Sequence, residues 1–187
     1  MLDLLEEQLN RVSHISLMAS YNQWMNEKLY KAAFQLPTLE LVDDRGAFFG
    51  SISSTLNHIA VGDTIWLKRF ASHPANYKIL RQLSMQSLES LDQILFPEFT
   101  LLYDYRKDLD DIIVKWASTI TETDLDCELH YKNMKNVSAT KNFYSLLMHF
   151  FNHQTHHRGQ VTTLFSQVGM DIGVTDLLAI IPNETDA

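Results

Sequence analysis

Phe150-Phe151-Asn152-His153-Gln154-Thr155-His156-His157-Arg158-Gly159-Gln160 places three imidazoles within five residues of an otherwise apolar run. At about 3.6 residues per helical turn, positions four apart lie one above the other, so His153 and His157 share a face and His149 extends the stripe. Two neutral imidazoles at that spacing form a chelate for a borderline divalent metal such as zinc or nickel. The pair cannot complete a site alone. A third candidate stands in Leu56-Asn57-His58-Ile59-Ala60-Val61-Gly62-Asp63, on a second helical pattern and likewise preceded by Asn. Three protein ligands leave one coordination position open, as a catalytic metal requires. The competing reading keeps these histidines as hydrogen-bonded surface or interface residues of a half-buried helix.

Working outward, Phe143 to Val168 reads as a long helix, with Thr140 as its expected N-cap and Gly169 as its C-terminal glycine. Before it, Leu125 to Tyr131 alternates with period two and the turn-like Lys132-Asn133-Met134-Lys135-Asn136 follows, which allows at most a small hairpin. Glu98 to Ile120, opened by Pro97, buries Leu101, Leu102, Tyr105, Leu109, Ile112, Ile113 and Trp116. Its charges, among them Asp104, Arg106, Lys107, Asp108, Asp110 and Asp111, read as a solvated face. Ser51 to Phe70 gives another helix, closed by His73-Pro74. Ile15 to Leu36 gives the first, stopped by Pro37. Leu2 to Ser13 is a short helix or a frayed arm, Leu39 to Gly50 and Tyr77 to Phe96 are connectors, and Met170 to Ala187 is a tail laid over the helices. Four long amphipathic segments joined by crossovers define an all-α helical bundle, where sites are built from inward side chains on facing helices.

The 187 residues fit one domain, 1–187, with 45% hydrophobic and 20% charged residues, a globular balance. Apolar runs break well before the about 18 positions of a membrane span. The start lacks a basic n-region followed by an apolar segment, so a cytoplasmic location without membrane association is expected. A net charge of −8 with scattered Lys and Arg disfavours direct nucleic-acid binding. The single cysteine, Cys127, excludes an intramolecular disulfide and a thiolate-rich zinc site, and reads as a small buried hydrophobe.

Four ordered motifs resemble the DinB/YfiT-like family of metal-binding four-helix proteins over nearly the whole chain. They are Tyr21-Asn22-Gln23-Trp24 with Asn26-Glu27-Lys28-Leu29, Gly46-Ala47-Phe48-Phe49-Gly50-Ser51, Leu56-Asn57-His58-Ile59 with Asp63 and Trp66, and Asn152-His153-Gln154-Thr155-His156-His157-Arg158-Gly159-Gln160. Gly169 with Thr175-Asp176-Leu177-Leu178 is similar to the family's end. The resemblance implies an up-down-down-up bundle, often dimeric, with a divalent metal, zinc or nickel, held by His58, His153 and His157. It also implies a metal-dependent transferase that joins a low-molecular-weight thiol to a small electrophile, although many members have no demonstrated activity.

The remaining polar residues carry weaker signals. His156, three positions from His153, flanks the shared face and reads as a non-ligand, because a helix aims two of three such rings at one ion. A partner of the ligands, a substitute ligand and a surface residue all stay open for it. Arg158 and Gln160 are either orienting groups or helix-surface pairs, and Asp63 is either an imidazole partner or an ordinary surface aspartate. Tyr21 and Trp24 read as core or pocket wall. Gln154 stands where a His-Glu-x-x-His zinc protease places its general base, which disfavours peptide hydrolysis. Two functions follow: a metal-dependent thiol transferase, or a non-enzymatic metal-binding or dimerising bundle.

Overall fold

The computed structural model describes residues 10–81 and 88–183. The long helices are α1 (Arg11–Ala33), α3 (Ile52–Phe70), α5 (Phe99–Ala117) and α7 (Phe143–Gln167). Short helices α2 (Thr38–Val42), α4 (Lys78–Arg81) and α6 (Glu122–Leu125) lie in the connections, with strands β1 (Glu128–Lys132) and β2 (Ser138–Asn142) before α7. The fold is all-α apart from this one antiparallel hairpin, in which His130 faces Thr140.

Local chemistry sets the helix ends. Asn10 caps α1 by accepting the Ser13 N–H, so the helix starts at Arg11, ahead of the expected Ile15. Arg11 then pairs with Glu122 and Asp126, which ties that first turn to α6. The expected separate arm thus yields its last three residues to α1. Its residues 2–9, like 82–87 of the crossover and 184–187 of the tail, lie outside the described residues. The connector after Pro37 is not structureless, since it holds α2. Ser51 caps α3 through the Ser54 N–H. The N-cap of α7 is Asn142 rather than Thr140, which is engaged in β2. Asn142 accepts the Ser145 N–H and donates to the Leu125 carbonyl, so one side chain both starts the helix and fastens the hairpin to α6. Gly169, at φ 74, closes α7 while the Met170 N–H reaches back to the Phe165 carbonyl.

Side-chain pairings fix the helix directions. Asn22 meets Asp110 and Tyr30 stacks on Phe99, so α1 and α5 run antiparallel. Arg11 lies over Tyr144 and Arg158 bonds Asn22, so α1 and α7 run parallel. Trp66 meets His149 and Phe70 meets Phe143, which sets α3 antiparallel to α7, while Thr64–Tyr105 and Phe70–Trp116 set α3 parallel to α5. The bundle is therefore up-down-down-up, with α1 and α3 on one diagonal.

One apolar core runs between the four helices, built around Phe70, Trp116, Phe143, Phe150 and Phe165. Each such side chain contributes roughly 1.5–3 kcal/mol by leaving water. Contrary to the solvated-face reading of α5, Arg106 and Asp110 are also inside, at 1% and 3% exposure. Among the described residues no helix is long and apolar enough to cross a membrane.

Candidate metal centre

His58 stands in the second turn of α3, and His153 and His157 stand one turn apart on α7, which α3 crosses antiparallel. The structure brings all three expected residues together. His58 Nε2 lies 3.3 Å from His153 Nε2 and 3.2 Å from His157 Nε2. His58 is buried, and the other two are half-buried. Phe49, on the loop before α3, stacks on the His58 ring at 3.8 Å and meets His157 edge-on, which shields one side of the cluster from water.

Outer partners decide which nitrogen carries the proton. His58 Nδ1 is 2.8 Å from the Leu91 carbonyl, which only accepts, so Nδ1 holds the hydrogen and Nε2 keeps its lone pair. His157 Nδ1 likewise donates to Gln160 Oε1 at 2.7 Å. His58 Nε2 and His157 Nε2 therefore face each other with two lone pairs and no hydrogen between them. Protonation is resisted, because burial lowers the pKa of both rings. Burial, reinforced by the neighbouring imidazoles, pushes His153 down to about 3. A divalent cation placed between the rings would resolve this convergence. Tetrahedral zinc bonded to nitrogen at about 2.0–2.1 Å spaces its ligands about 3.4 Å apart, close to the separations here. The three histidines can hold such an ion.

Several supports carry no assigned role in the sequence reading. Gly62 leaves the room that His153 occupies, since a Cβ there would lie 2.7 Å from His153 Cε1. Asn57, fully buried, accepts the Leu95 and Phe96 N–H groups and so pins the crossover that delivers the Leu91 carbonyl. The repeated Asn-His pair has no common role, because Asn152 is exposed. A free backbone carbonyl has no sequence signature, but a glycine one turn after His58 on an apolar helix was a readable sign of close approach.

Other expected residues fall elsewhere. His149 is exposed, packs edge-on against Trp66 and stays outside the triad. His156 is also exposed and outside it, with the Gln160 amide 3.4 Å from its Nε2. Asp63 is not a surface aspartate. It is fully buried, ion-paired to Arg106 and bonded at 2.7 Å by Gln154. Arg158 is no surface pair either, but a buried donor to Asn22. Asn26 bonds Asp110, which Arg106 also reaches. Every long helix contributes to this network, in which two guanidiniums balance two carboxylates. Burial raises Asp63 and lifts Asp110 to about 6, with Arg106 opposing both shifts. Tyr21 is buried and bonds the Thr175 carbonyl of the tail, and Trp24 stacks near it. Cys127 is only half-buried, with its Sγ 3.5 Å from the Thr123 carbonyl, rather than a buried hydrophobe.

Beside the triad lies an open cleft of about 440 Å³, lined by His58 and His153 at one end and by Trp66, Arg69 and Lys135 further along. An up-down-down-up bundle with an inward three-histidine cluster and an adjoining cleft defines a class of small helical proteins equipped to bind a metal. Residues 7–185 match the DinB family, and the chain belongs to it. Over 156 residues it is 24% identical to protein DinB of Bacillus subtilis (strain 168), an alignment covering 83% of this chain and 87% of that protein. No solved structure matches the chain significantly.

Proposed function

We propose that the protein binds a divalent ion, zinc or nickel, through His58, His153 and His157, and uses it to transfer a low-molecular-weight thiol to a small electrophile. The observation that carries this reading is the His58–His157 contact, two lone pairs held 3.2 Å apart by outer hydrogen bonds. When bound, such an ion supplies Lewis acidity that favours thiolate over thiol at neutral pH, so no protein base is needed. Leu91 and Gln160 hold two rings in the required tautomer, Phe49 keeps water from one side, and the cleft admits the reactants from the other. Three imidazoles without a carboxylate disfavour magnesium and calcium.

A second reading keeps the metal but not the turnover, as a dimerising or ligand-binding bundle in which the ion is structural. It is supported by the cleft lining, which holds no Asp or Glu among the described residues. The two separate in one assay: thiol conjugation to 1-chloro-2,4-dinitrobenzene with the protein as purified, after chelation and after reloading. Rates lost on chelation and restored by zinc or nickel support the transferase. Rates indifferent to the metal leave the structural reading.

A further inference from the structure

The cleft beside the triad has a chemical polarity of its own. His58, Gly62, Trp66 and Arg69 recur at helical spacing along one stripe of α3 and form its floor, with His149 and His153 of α7 alongside. At the far end the Arg69 guanidinium lies over Trp66 at 4.6 Å and over Tyr131 of β1 at 5.0 Å. Two rings thus fix a planar cation, half-buried, that pairs with no carboxylate among the described residues. Lys135, from the hairpin turn, adds a second cation to the rim. In a chain of net charge −8, a cleft lined by two cations and, among the described residues, by no Asp or Glu is a local reversal of sign.

We propose that Arg69 is a specificity-determining residue that binds the carboxylate of an elongated small molecule whose other end reaches the three histidines. Its fork of N–H donors matches a carboxylate in a way that a lysine does not. The length follows from the helix. Arg69 lies eleven residues beyond His58, on the order of 16 Å along the axis, and its guanidinium reaches back over Trp66, eight residues beyond His58, leaving on the order of 12 Å to span. A compact anion satisfies one end only. The inference deepens the thiol-transfer reading, in which the far group is a thiol, but the carboxylate subsite stands on the cleft alone.

The two parts are separable with ω-mercapto acids as a molecular ruler. In calorimetry on the metal-free protein, octanoate binds and 1-octanol binds at least ten-fold more weakly. Arg69→Gln abolishes that preference and Arg69→Lys retains part of it, with circular dichroism confirming that each variant is folded. On the cobalt-loaded protein, 8-mercaptooctanoate develops a sulfur-to-cobalt absorption band at lower concentration than either 3-mercaptopropionate or 8-mercapto-1-octanol, and Arg69→Gln removes the advantage. Equal binding of octanoate and octanol, or an unchanged preference in Arg69→Gln, overturns the carboxylate subsite. Carboxylate binding without any cobalt band in the presence of thiol leaves the subsite intact and contradicts the thiol-transfer reading instead.

Discussion

At the residue scale, the candidate metal centre depends on residues outside the three histidines. Gly62 is the sharpest case: alanine favours the helix by about 1 kcal/mol over glycine, yet its methyl would strike His153. Gly62→Ala is therefore expected to stay folded and to lose roughly 10–100-fold in metal affinity, the usual cost of disturbing a ligand's support. Competition with a chelating dye measures it, and unchanged affinity would show that His153 is free to adjust. The spacing of His153 and His157 was legible because it is local to one helix. His58 matches them as a helical histidine by pattern, but its approach to α7 is tertiary and is fixed only by how the two helices pack. Arg106 was misread, although Leu102, Arg106, Leu109 and Ile113 follow the apolar spacing and put the arginine on the inner stripe. Counting charges as outward by default hid it.

At the element scale, the buried network beneath the site joins all four long helices, and its balance is electrical. Removing one carboxylate leaves two buried guanidiniums to share the other. Asp63→Ala is expected to destabilise the bundle by about 3–5 kcal/mol, read as a lower urea midpoint, because Arg106 loses one of its two buried carboxylates and the Gln154 amide loses its acceptor. A loss below about 1 kcal/mol would mean that water enters to solvate Arg106. The long helices were legible from apolar periodicity, and the hairpin from alternation around a polar turn. Their ends were not, since capping depends on which of several nearby polar residues completes the hydrogen bond. Thr140 and Asn142 both qualify by type, and only the strand pairing decides between them.

At the scale of the whole molecule, the depressed histidines couple stability to pH. In the folded metal-free protein the pKa values of His58, His153 and His157 lie below their ordinary value, so the unfolded chain takes up protons first. Their contribution is fully present above about pH 6.5 and declines as pH falls toward the His153 value of about 3. Asp63 and Asp110 act in the opposite direction: their raised pKa values favour the fold at low pH, and that share is lost as pH rises through the Asp110 value of about 6. The histidine share is isolated by comparison with His153→Gln. Melting temperatures of the metal-free proteins should fall more steeply between pH 7 and pH 5 in the wild type than in the variant, and parallel profiles would contradict the assignment.

The three-histidine centre itself is tested most directly by elemental analysis of untagged protein, wild type beside His58→Ala and His157→Ala, after loading with zinc or nickel and desalting. The expected result is close to one metal ion per chain in the wild type and almost none in either variant, with all three proteins folded. Wild-type protein that holds no metal after loading, or variants that hold as much as the wild type, would contradict the site.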